Sequence, residues 1–118
     1  MTVGACQTVG LRRYPDGTPF ANVIESERTP QRERVLADPP RLKPQSFLRQ
    51  IVYAALPRGT EVILDPCMSS GSTIAAALAV GYPAIGIERN EQYYQRSLRA
   101  IPALTDLYPM QSTRLLHQ

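Results

Sequence analysis

The feature that most constrains the fold is a pair of short apolar runs joined by one segment of helix length. Residues 61–65 form the first run, and residues 84–87 form the second, which we expect to be a buried strand. The alanine-rich segment 74–80 lies between them and predicts a helix. Strands joined in this way are parallel, and ligands lie beyond their carboxyl ends. The sequence therefore predicts a site near Asp65 and Glu88, the acidic residues at the ends of the two runs.

A helix is expected on each side of this unit. Upstream, residues 44–56 carry apolar side chains at helical spacing, with Pro44 near the first turn, where its missing N–H does no harm. Downstream, Asn90 can cap a helix that runs from Glu91 to about Ala100. The predicted fold class is α/β, built on a parallel βαβα unit.

The segments outside this unit show no sustained period. Up to about Pro40, turn residues and prolines interrupt any helix, which predicts an irregular N-terminal arm over residues 1–40. Residues 41–101 then form the predicted α/β unit. Residues 102–118 form a tail with no predicted structure.

Length and charge limit the possible functions. A chain of 118 residues, 43% hydrophobic, is one small domain and rules out a two-domain enzyme. Residues 1–60 carry 9 basic and 5 acidic side chains, whereas residues 61–118 carry 4 and 5. The arginines of the basic half are suited to phosphates, although an ordinary solvated face remains an alternative. They are Arg12, Arg13, Arg28, Arg32, Arg34, Arg41, Arg49 and Arg58.

Several kinds of site are excluded. Cys6 and Cys67 form no disulfide framework and have no partner at metal-ligand spacing, so a reducing interior, the cytoplasm, is expected. No apolar run approaches the roughly 20 residues that span a bilayer. His117 is the only histidine and lies one residue from the end of the sequence, which argues against a histidine base or a histidine metal site.

The loop of residues 65–73, Asp-Pro-Cys-Met-Ser-Ser-Gly-Ser-Thr, opens the predicted central helix, whose free amides favour a carboxylate or phosphate. Glu88 lies 23 positions after Asp65, where nucleotide-binding α/β units place the acceptor for ribose hydroxyls. The two features imply an adenosine-containing ligand. No lysine follows Gly71, and the loop has no further glycine, which disfavours ATP and NAD. A serine-capped turn in an ordinary α/β domain remains the alternative.

Together these residues resemble the cofactor half of bacterial and phage DNA methyltransferases that modify adenine N6 or cytosine N4. The usual motifs of that family are, in chain order, Asp-Pro-Phe-x-Gly-Ser-Gly-Thr-Thr, Ala-Ala, and Gly-Ile-Glu followed by a tyrosine. Residues 42–45, followed by Phe47 and Leu48, resemble the His-Pro-x-x-Lys-Pro element of the circularly permuted members. The resemblance covers roughly residues 35–101. Its other matching segments are residues 65–73, residues 75–77, residues 85–88, and Tyr93 or Tyr94.

The resemblance implies a partial Rossmann-like methyltransferase fold, S-adenosylmethionine as cofactor and DNA as partner. In that interpretation the helix amides after Ser70 bind the cofactor's carboxylate, and Glu88 binds its ribose. Asp65 orients the loop or accepts a bond from the methionine amine, while Lys43 and Pro44 line the methionine end. The full set of implied cofactor-binding residues is Lys43, Pro44, Asp65, Pro66, Ser69, Ser70, Gly71, Ser72, Thr73 and Glu88.

Structural roles remain open for several of these residues. Asp65 can cap the loop as an Asx turn, and Glu88 can be a solvated acid before a helix cap. The Lys43-Pro44 pair can be an ordinary helix start, and the two tyrosines can be packing residues of the last helix.

The sequence departs from the family at positions that matter. Ser69 stands where the family has glycine, and its Cβ costs roughly 1 kcal/mol or more if the backbone there is left-handed. Cys67 replaces the family's phenylalanine. The amine-methylating motif, Asp-Pro-Pro followed by an aromatic residue, is matched only by Asp38-Pro39-Pro40, which is followed by Arg41 and preceded by a possible strand at residues 35–37.

We therefore assign no catalytic residue. The resemblance predicts the C-terminal part of a longer or split enzyme, with a second chain supplying the catalytic half and no activity alone. A different class of function is a non-enzymatic module that pairs with another chain through an open sheet edge and offers its arginine-rich arm to nucleic acid. A degenerate reading frame without a stable fold is a third possibility.

Overall fold

The protein folds as a small α/β unit. The computed structural model describes residues 24–37, 42–56 and 60–109. Within these ranges no helix is long and apolar enough to cross a membrane. Their elements, in chain order, are α1 (Gln31–Ala37), α2 (Gln45–Ala55), β1 (Ile63–Asp65), α3 (Ser72–Ala79), β2 (Ala84–Gly86) and α4 (Glu91–Leu107).

Strands β1 and β2 form a parallel pair, as predicted. Leu64 lies opposite Ile85, and hydrogen bonds extend the ladder beyond both strands. At its carboxyl end, the N–H of Ile87 donates to the carbonyl of Asp65 at 2.9 Å. The pairing therefore brings the end of β1 close to Glu88, as the predicted parallel topology requires.

Helix α3 is the central helix. It contacts both strands, and α2 and α4 pack against it. Its buried residues are Ile74 and the three alanines that follow it, whose small side chains let the neighbouring helices approach closely. These alanines belong to two apolar clusters. The cluster shared with α2 contains Leu48, Val52, Leu56, Ala76, Ala77 and Tyr82. The cluster shared with α1 and α4 contains Ala37, Ala75, Ala100 and Leu104.

The prediction of a buried second strand is wrong. The side chains of Ile85 and Ile87 are 56% and 53% exposed. In a two-stranded pair of this kind the helices cover one face, on which Ile63 and Ala84 pack against the α2–α3 cluster. An apolar run in the sequence does not distinguish a strand covered on two faces from one covered on a single face.

The prediction of an irregular arm is wrong for residues 31–37, because these residues form helix α1. The possible strand over residues 35–37 is likewise part of this helix. The helix begins after Pro30, whose carbonyl accepts the N–H groups of Glu33 and Arg34 at 3.1 Å. Glu33 bonds to Gln45 and Tyr108, and Ala37 packs in the cluster shared with α4, so this helix is tied to distant elements that a local sequence pattern does not reveal. Residues 1–23 of the arm and the Asp38-Pro39-Pro40 motif lie outside the described residues.

Helix α4 begins where it was predicted and ends later. The Asn90 side chain accepts the Tyr93 N–H at 3.1 Å, which confirms the predicted cap. The helix passes through Pro102 and ends at Leu107, beyond the predicted end at Ala100. Its last turn packs into the core, with Leu104 fully buried, so tertiary contacts outweigh the local disruption by proline.

Candidate functional site

The loop after β1 starts with an Asx turn. Oδ1 of Asp65 accepts the backbone N–H of Cys67 at 3.1 Å. This bond fixes the first bend of the loop, and it is the Asx turn that was considered as the alternative, structural role of Asp65. Pro66 and Cys67 are exposed at the bend, and Cys67 is a free thiol.

Glu88 connects this loop to the end of β2. Its Oε2 accepts the backbone N–H of Ser69 at 2.8 Å, and its Oε1 accepts that of Asn90 at 2.9 Å. The carboxylate is half-buried and is therefore not the freely solvated acid considered from the sequence. A carboxylate has about four lone-pair sites, so two backbone bonds leave capacity for ligand hydroxyls.

Ser69, at the family's glycine position, has the left-handed backbone that the sequence raised only as a condition. Its φ is 53°, and among the described residues it is the one non-glycine residue with positive φ. A side chain in this conformation costs roughly 1 kcal/mol or more. The hydrogen bond from its N–H to Glu88 holds the residue in this conformation.

Gly71 cannot be replaced without a clash. It is the N-cap of α3 with φ of 90°, and a Cβ there would lie 2.4 Å from Cγ1 of Ile101. Its N–H donates to the Met68 carbonyl at 2.8 Å, so this amide is used within the loop. Ser72 and Thr73, both half-buried residues, follow it at the start of α3, where no side chain caps the helix.

Ser70 carries a buried polar atom of this loop that lacks a hydrogen-bond partner among the described residues. The residue is 1% exposed, and its Oγ has no hydrogen-bond partner among the described residues. A buried hydroxyl left unpaired costs about 1–3 kcal/mol, and a polar ligand group would remove that cost. It lies one residue before the positive end of helix α3.

The start of α2 lies beside the start of α3. Nε2 of Gln45 donates to the Ser72 carbonyl at 2.8 Å. Pro44 is the buried N-cap of α2, and Lys43 before it is exposed. The structure therefore bonds Gln45, the residue after the Lys43-Pro44 pair, to Ser72 of the loop, 27 residues further along the sequence.

A buried polar network lies behind this junction, and sequence reasoning missed it. Glu33 is 1% exposed, and its Oε2 accepts the backbone N–H of Gln45 at 2.9 Å. Its Oε1 accepts the hydroxyl of Tyr108 at 2.9 Å. Burial raises the pKa of the Tyr108 hydroxyl, with a further increase from the bond to Glu33. The network thus joins α1, α2 and the end of α4.

Arg49 is part of this network and not of a phosphate-binding surface. The residue is 4% exposed, and its guanidinium donates to the carbonyls of Tyr108 at 2.8 Å and Leu104 at 3.1 Å. Burial lowers its pKa, an effect opposed by the nearby Glu33 carboxylate. The prediction that Arg49 meets phosphates is therefore wrong.

The structure describes only some of the other arginines that were predicted to meet phosphates. Arg32 is exposed, and its Nε donates to the Tyr108 hydroxyl at 2.6 Å. Arg28 and Arg34 are exposed, in agreement with a solvated or ligand-binding face. The predicted positions that lie outside the described residues are Arg12, Arg13, Arg41 and Arg58.

Tyr94 is 41% exposed, which disagrees with a packing role for that residue.

Comparison with known proteins identifies the family. A family model described as DNA methylase, of the N6 and N4 type, matches residues 7–99. The chain belongs to this DNA methylase family. The match spans most of the sequence and includes all ten residues of the implied cofactor site.

Two curated relatives support the assignment. The chain is 39% identical over 62 residues to a protein named DNA adenine methyltransferase YhdJ from Escherichia coli K12. It is 29% identical over 83 residues to the type II methyltransferase M2.LlaDCHI from Lactococcus lactis subsp. cremoris. These matches cover 52% and 70% of this chain but 21% and 30% of the relatives. The chain thus spans less than a third of the length of each of these two relatives.

Proposed function

We propose that this DNA methylase chain is the S-adenosylmethionine-binding part of a cytoplasmic enzyme that methylates an exocyclic amine of adenine or cytosine in DNA. The observation that carries the proposal is the hydrogen bond between the Ser69 N–H and Glu88, which joins the two strand ends. The name of the Escherichia coli relative favours adenine as the base.

The polar groups of these residues are chemically suited to S-adenosylmethionine. The hydroxyl of Ser70 and the first amides of α3 are suited to the cofactor's carboxylate, since these donors lie at the positive end of a helix. Glu88 keeps acceptor capacity for ribose hydroxyls. When bound, S-adenosylmethionine supplies a methyl group activated by a sulfonium.

The supporting residues orient this set. Asp65 fixes the bend of the loop through its bond to the Cys67 N–H, and Lys43 and Pro44 directly precede Gln45, which bonds to the Ser72 carbonyl. These residues bind and orient the donor. We assign the abstraction of the amine proton and the binding of the flipped base to a catalytic half contributed by further polypeptide, in a second chain or in a longer one.

Calorimetric titration with S-adenosylmethionine and with its demethylated product tests the cofactor site. We expect the wild-type chain to bind both in the micromolar range, and Glu88→Gln to weaken binding at least about tenfold because it removes the charged acceptor. Glu91→Gln, an exposed acid in the first turn of α4, is the matched control and should bind normally. Absence of heat in the folded wild-type chain, or an equal loss in both variants, would contradict the proposal.

A methylation assay on plasmid DNA tests whether the chain needs more polypeptide. We expect no methyl transfer by the 118-residue chain alone. Methylation by the purified chain that disappears in Asp65→Ala would show that it is a complete enzyme. DNA binding that weakens with salt and ignores the cofactor would instead favour a nucleic-acid-binding module.

A further inference from the structure

Gln45 is a buried residue that links helix α2 to the start of α3. It is 0% exposed and is the first residue of α2. Its backbone N–H donates to Oε2 of Glu33 at 2.9 Å, and its side-chain Oε1 accepts Nε of Arg49 at 3.2 Å. Its side-chain Nε2 donates to the Ser72 carbonyl at 2.8 Å. One residue therefore bonds to three helices, α1, α2 and α3.

The orientation of the Gln45 side-chain amide is determined by its partners. A guanidinium only donates hydrogen bonds, so the oxygen of the amide must face Arg49. A carbonyl only accepts them, so the NH₂ group must face Ser72. Rotating the amide by half a turn would lose both bonds at a position without access to solvent, which is strongly unfavourable. The donor directed at Ser72 is therefore fixed.

The partners of Gln45 are themselves held by the end of α4. The guanidinium of Arg49 donates to the carbonyls of Leu104 and Tyr108. The Tyr108 hydroxyl donates to Oε1 of Glu33, which closes a ring of hydrogen bonds. A polar network whose members are all bonded is rigid. The Nε2 donor of Gln45 therefore reaches α3 from a rigid base.

The bond to the Ser72 carbonyl controls an amide in the first turn of α3. The carbonyl of Ser72 and the N–H of Thr73 belong to one planar peptide group, so a donor that holds the carbonyl also fixes the direction of the N–H. The N–H of Ala75 bonds to the Gly71 carbonyl at 2.9 Å, which starts the hydrogen-bond ladder of the helix. The Thr73 N–H precedes Ala75 and therefore has no acceptor within α3. It is one of the donors that the start of the helix offers to an anion.

Gln45 and Glu88 act on different parts of the proposed cofactor site. Glu88 bonds to the backbone N–H groups of Ser69 and Asn90 beyond the end of β2, and the proposed function assigns the ribose to it. Gln45 bonds at the start of α3, to which the proposed function assigns the cofactor's carboxylate. The buried Ser70 hydroxyl, which has no partner among the described residues, lies in the loop just before that helix. A change at Gln45 should therefore affect recognition of the carboxylate and leave recognition of the nucleoside intact.

We propose that Gln45 is a positioning residue for recognition of the carboxylate of S-adenosylmethionine. It acts through the peptide group between Ser72 and Thr73, whose N–H it holds in the direction that an anion at the start of α3 requires. The inference rests on the proposed function and gives a role to a buried residue outside the implied cofactor-binding set. Gln45 thereby contributes to the discrimination between ligands that carry the methionine carboxylate and ligands that lack it.

The test compares the affinities of two ligands by calorimetry. They are S-adenosylhomocysteine and 5′-methylthioadenosine, a thioether nucleoside that lacks the carboxylate and the amine. We expect the wild-type chain to prefer S-adenosylhomocysteine, and Gln45→Met to reduce this preference at least about tenfold because it removes the donor to Ser72. Gln50→Met is the matched control, since it makes the same substitution in α2 and removes a bond of 2.9 Å to the Ser46 carbonyl of that helix. It should keep the wild-type preference.

Nuclear magnetic resonance provides a second measurement, which needs no variant and holds even if the buried substitution prevents folding. In the wild-type chain, the Thr73 backbone amide and the Gln45 side-chain amide should shift with S-adenosylhomocysteine and change little with 5′-methylthioadenosine. The Gln50 side-chain amide should respond to neither ligand. No shift at Thr73, or no preference for S-adenosylhomocysteine in the wild-type chain, would overturn the proposal. Equal loss of affinity for both ligands in Gln45→Met, or the same reduced preference in Gln50→Met, would also overturn it.

The failure of this proposal is distinguishable from the failure of the proposed function. Binding of S-adenosylhomocysteine that weakens in Glu88→Gln, together with an unchanged preference in Gln45→Met, would keep the cofactor site and contradict the role of Gln45. Absence of binding of either ligand to the folded wild-type chain would contradict both proposals.

Discussion

The backbone N–H of Ser69 donates to Oε2 of Glu88 at 2.8 Å, although the two residues belong to different strand–loop junctions. Ser69 is held at a φ of 53°, a conformation that a residue with a Cβ adopts at a cost. The charged acceptor offsets that cost, because hydrogen bonds to a carboxylate are stronger than those between neutral groups. The loop is thus ordered by the protein's own carboxylate.

Replacing Ser69 with glycine should stabilise the fold. The expected gain in the free energy of unfolding is up to about 1 kcal/mol, since glycine adopts positive φ freely and the added entropy of the unfolded chain removes part of the benefit. Chemical denaturation of Ser69→Gly and Ser69→Ala measures it. The alanine variant keeps a Cβ and should show no gain; a gain of the same size in both variants would mean that the backbone conformation is not the cause.

Replacing Gly71 with alanine should destabilise the fold by about 3 kcal/mol or more. The new Cβ would lie 2.4 Å from Cγ1 of Ile101 and would also be held at positive φ. Gly81→Ala is the matched control, since Gly81 has a φ of 86° and nothing within 4 Å of the added Cβ. It should lose only the roughly 1–2 kcal/mol of the left-handed conformation. Equal losses in thermal melts of the two variants would exclude the clash.

The loop and its two strands were predictable because their signals are local. The β-branched run before Asp65, the capping Asn90 and the alanine segment each specify their structure within a few residues. The left-handed backbone at Ser69 was considered only as a condition, because the family that the sequence resembles has glycine at this position. How the carboxylate of Glu88 bonds to that turn depends on the pairing of the two strands.

The buried polar network was not predictable in this way. Gln45 and Arg49 occupy the buried face of α2 together with Leu48 and Val52, at helical spacing, yet a search for apolar periodicity assigns polar residues to solvent. Their partners lie far away in the sequence: Arg49 bonds to carbonyls more than fifty residues downstream. The same contacts account for the extension of α4 beyond its predicted end.

Replacing Arg49 with methionine should destabilise the fold by about 3 kcal/mol or more. Methionine fills most of the space but leaves the buried carbonyl of Leu104 and the partly buried carbonyl of Tyr108 without their charged donor. Arg49→Lys should recover only part of the loss, because an ammonium lacks the planar fork that reaches several carbonyls. Denaturation midpoints at neutral pH measure both effects.

The exposed Arg99 on α4 provides the comparison for that experiment. Arg99→Met should change the free energy of unfolding by no more than about 0.5 kcal/mol, as is usual for a solvated side chain. If Arg49→Met were equally mild, the contacts of Arg49 with the end of α4 would not contribute to stability.

Tyr108 should make the fold sensitive to alkaline pH. Its pKa is raised in the folded protein, first by burial and then by the bond to Glu33, so the folded state keeps the phenol proton at a pH where the unfolded chain releases it. This contribution to stability is complete below the ordinary tyrosine pKa of about 10 and decreases as the pH rises above that value.

Tyr108→Phe should be less stable at neutral pH, since the Glu33 carboxylate loses a donor. It should lose less stability than the wild-type protein between neutral and alkaline pH. Tyr94→Phe, at an exposed site on α4, should keep the wild-type pH dependence. Unfolding curves recorded across this pH range for the three proteins test the prediction. The ultraviolet absorbance of the phenolate follows the titration directly. Parallel curves for wild type and Tyr108→Phe would show that the Tyr108 hydroxyl does not control the alkaline transition.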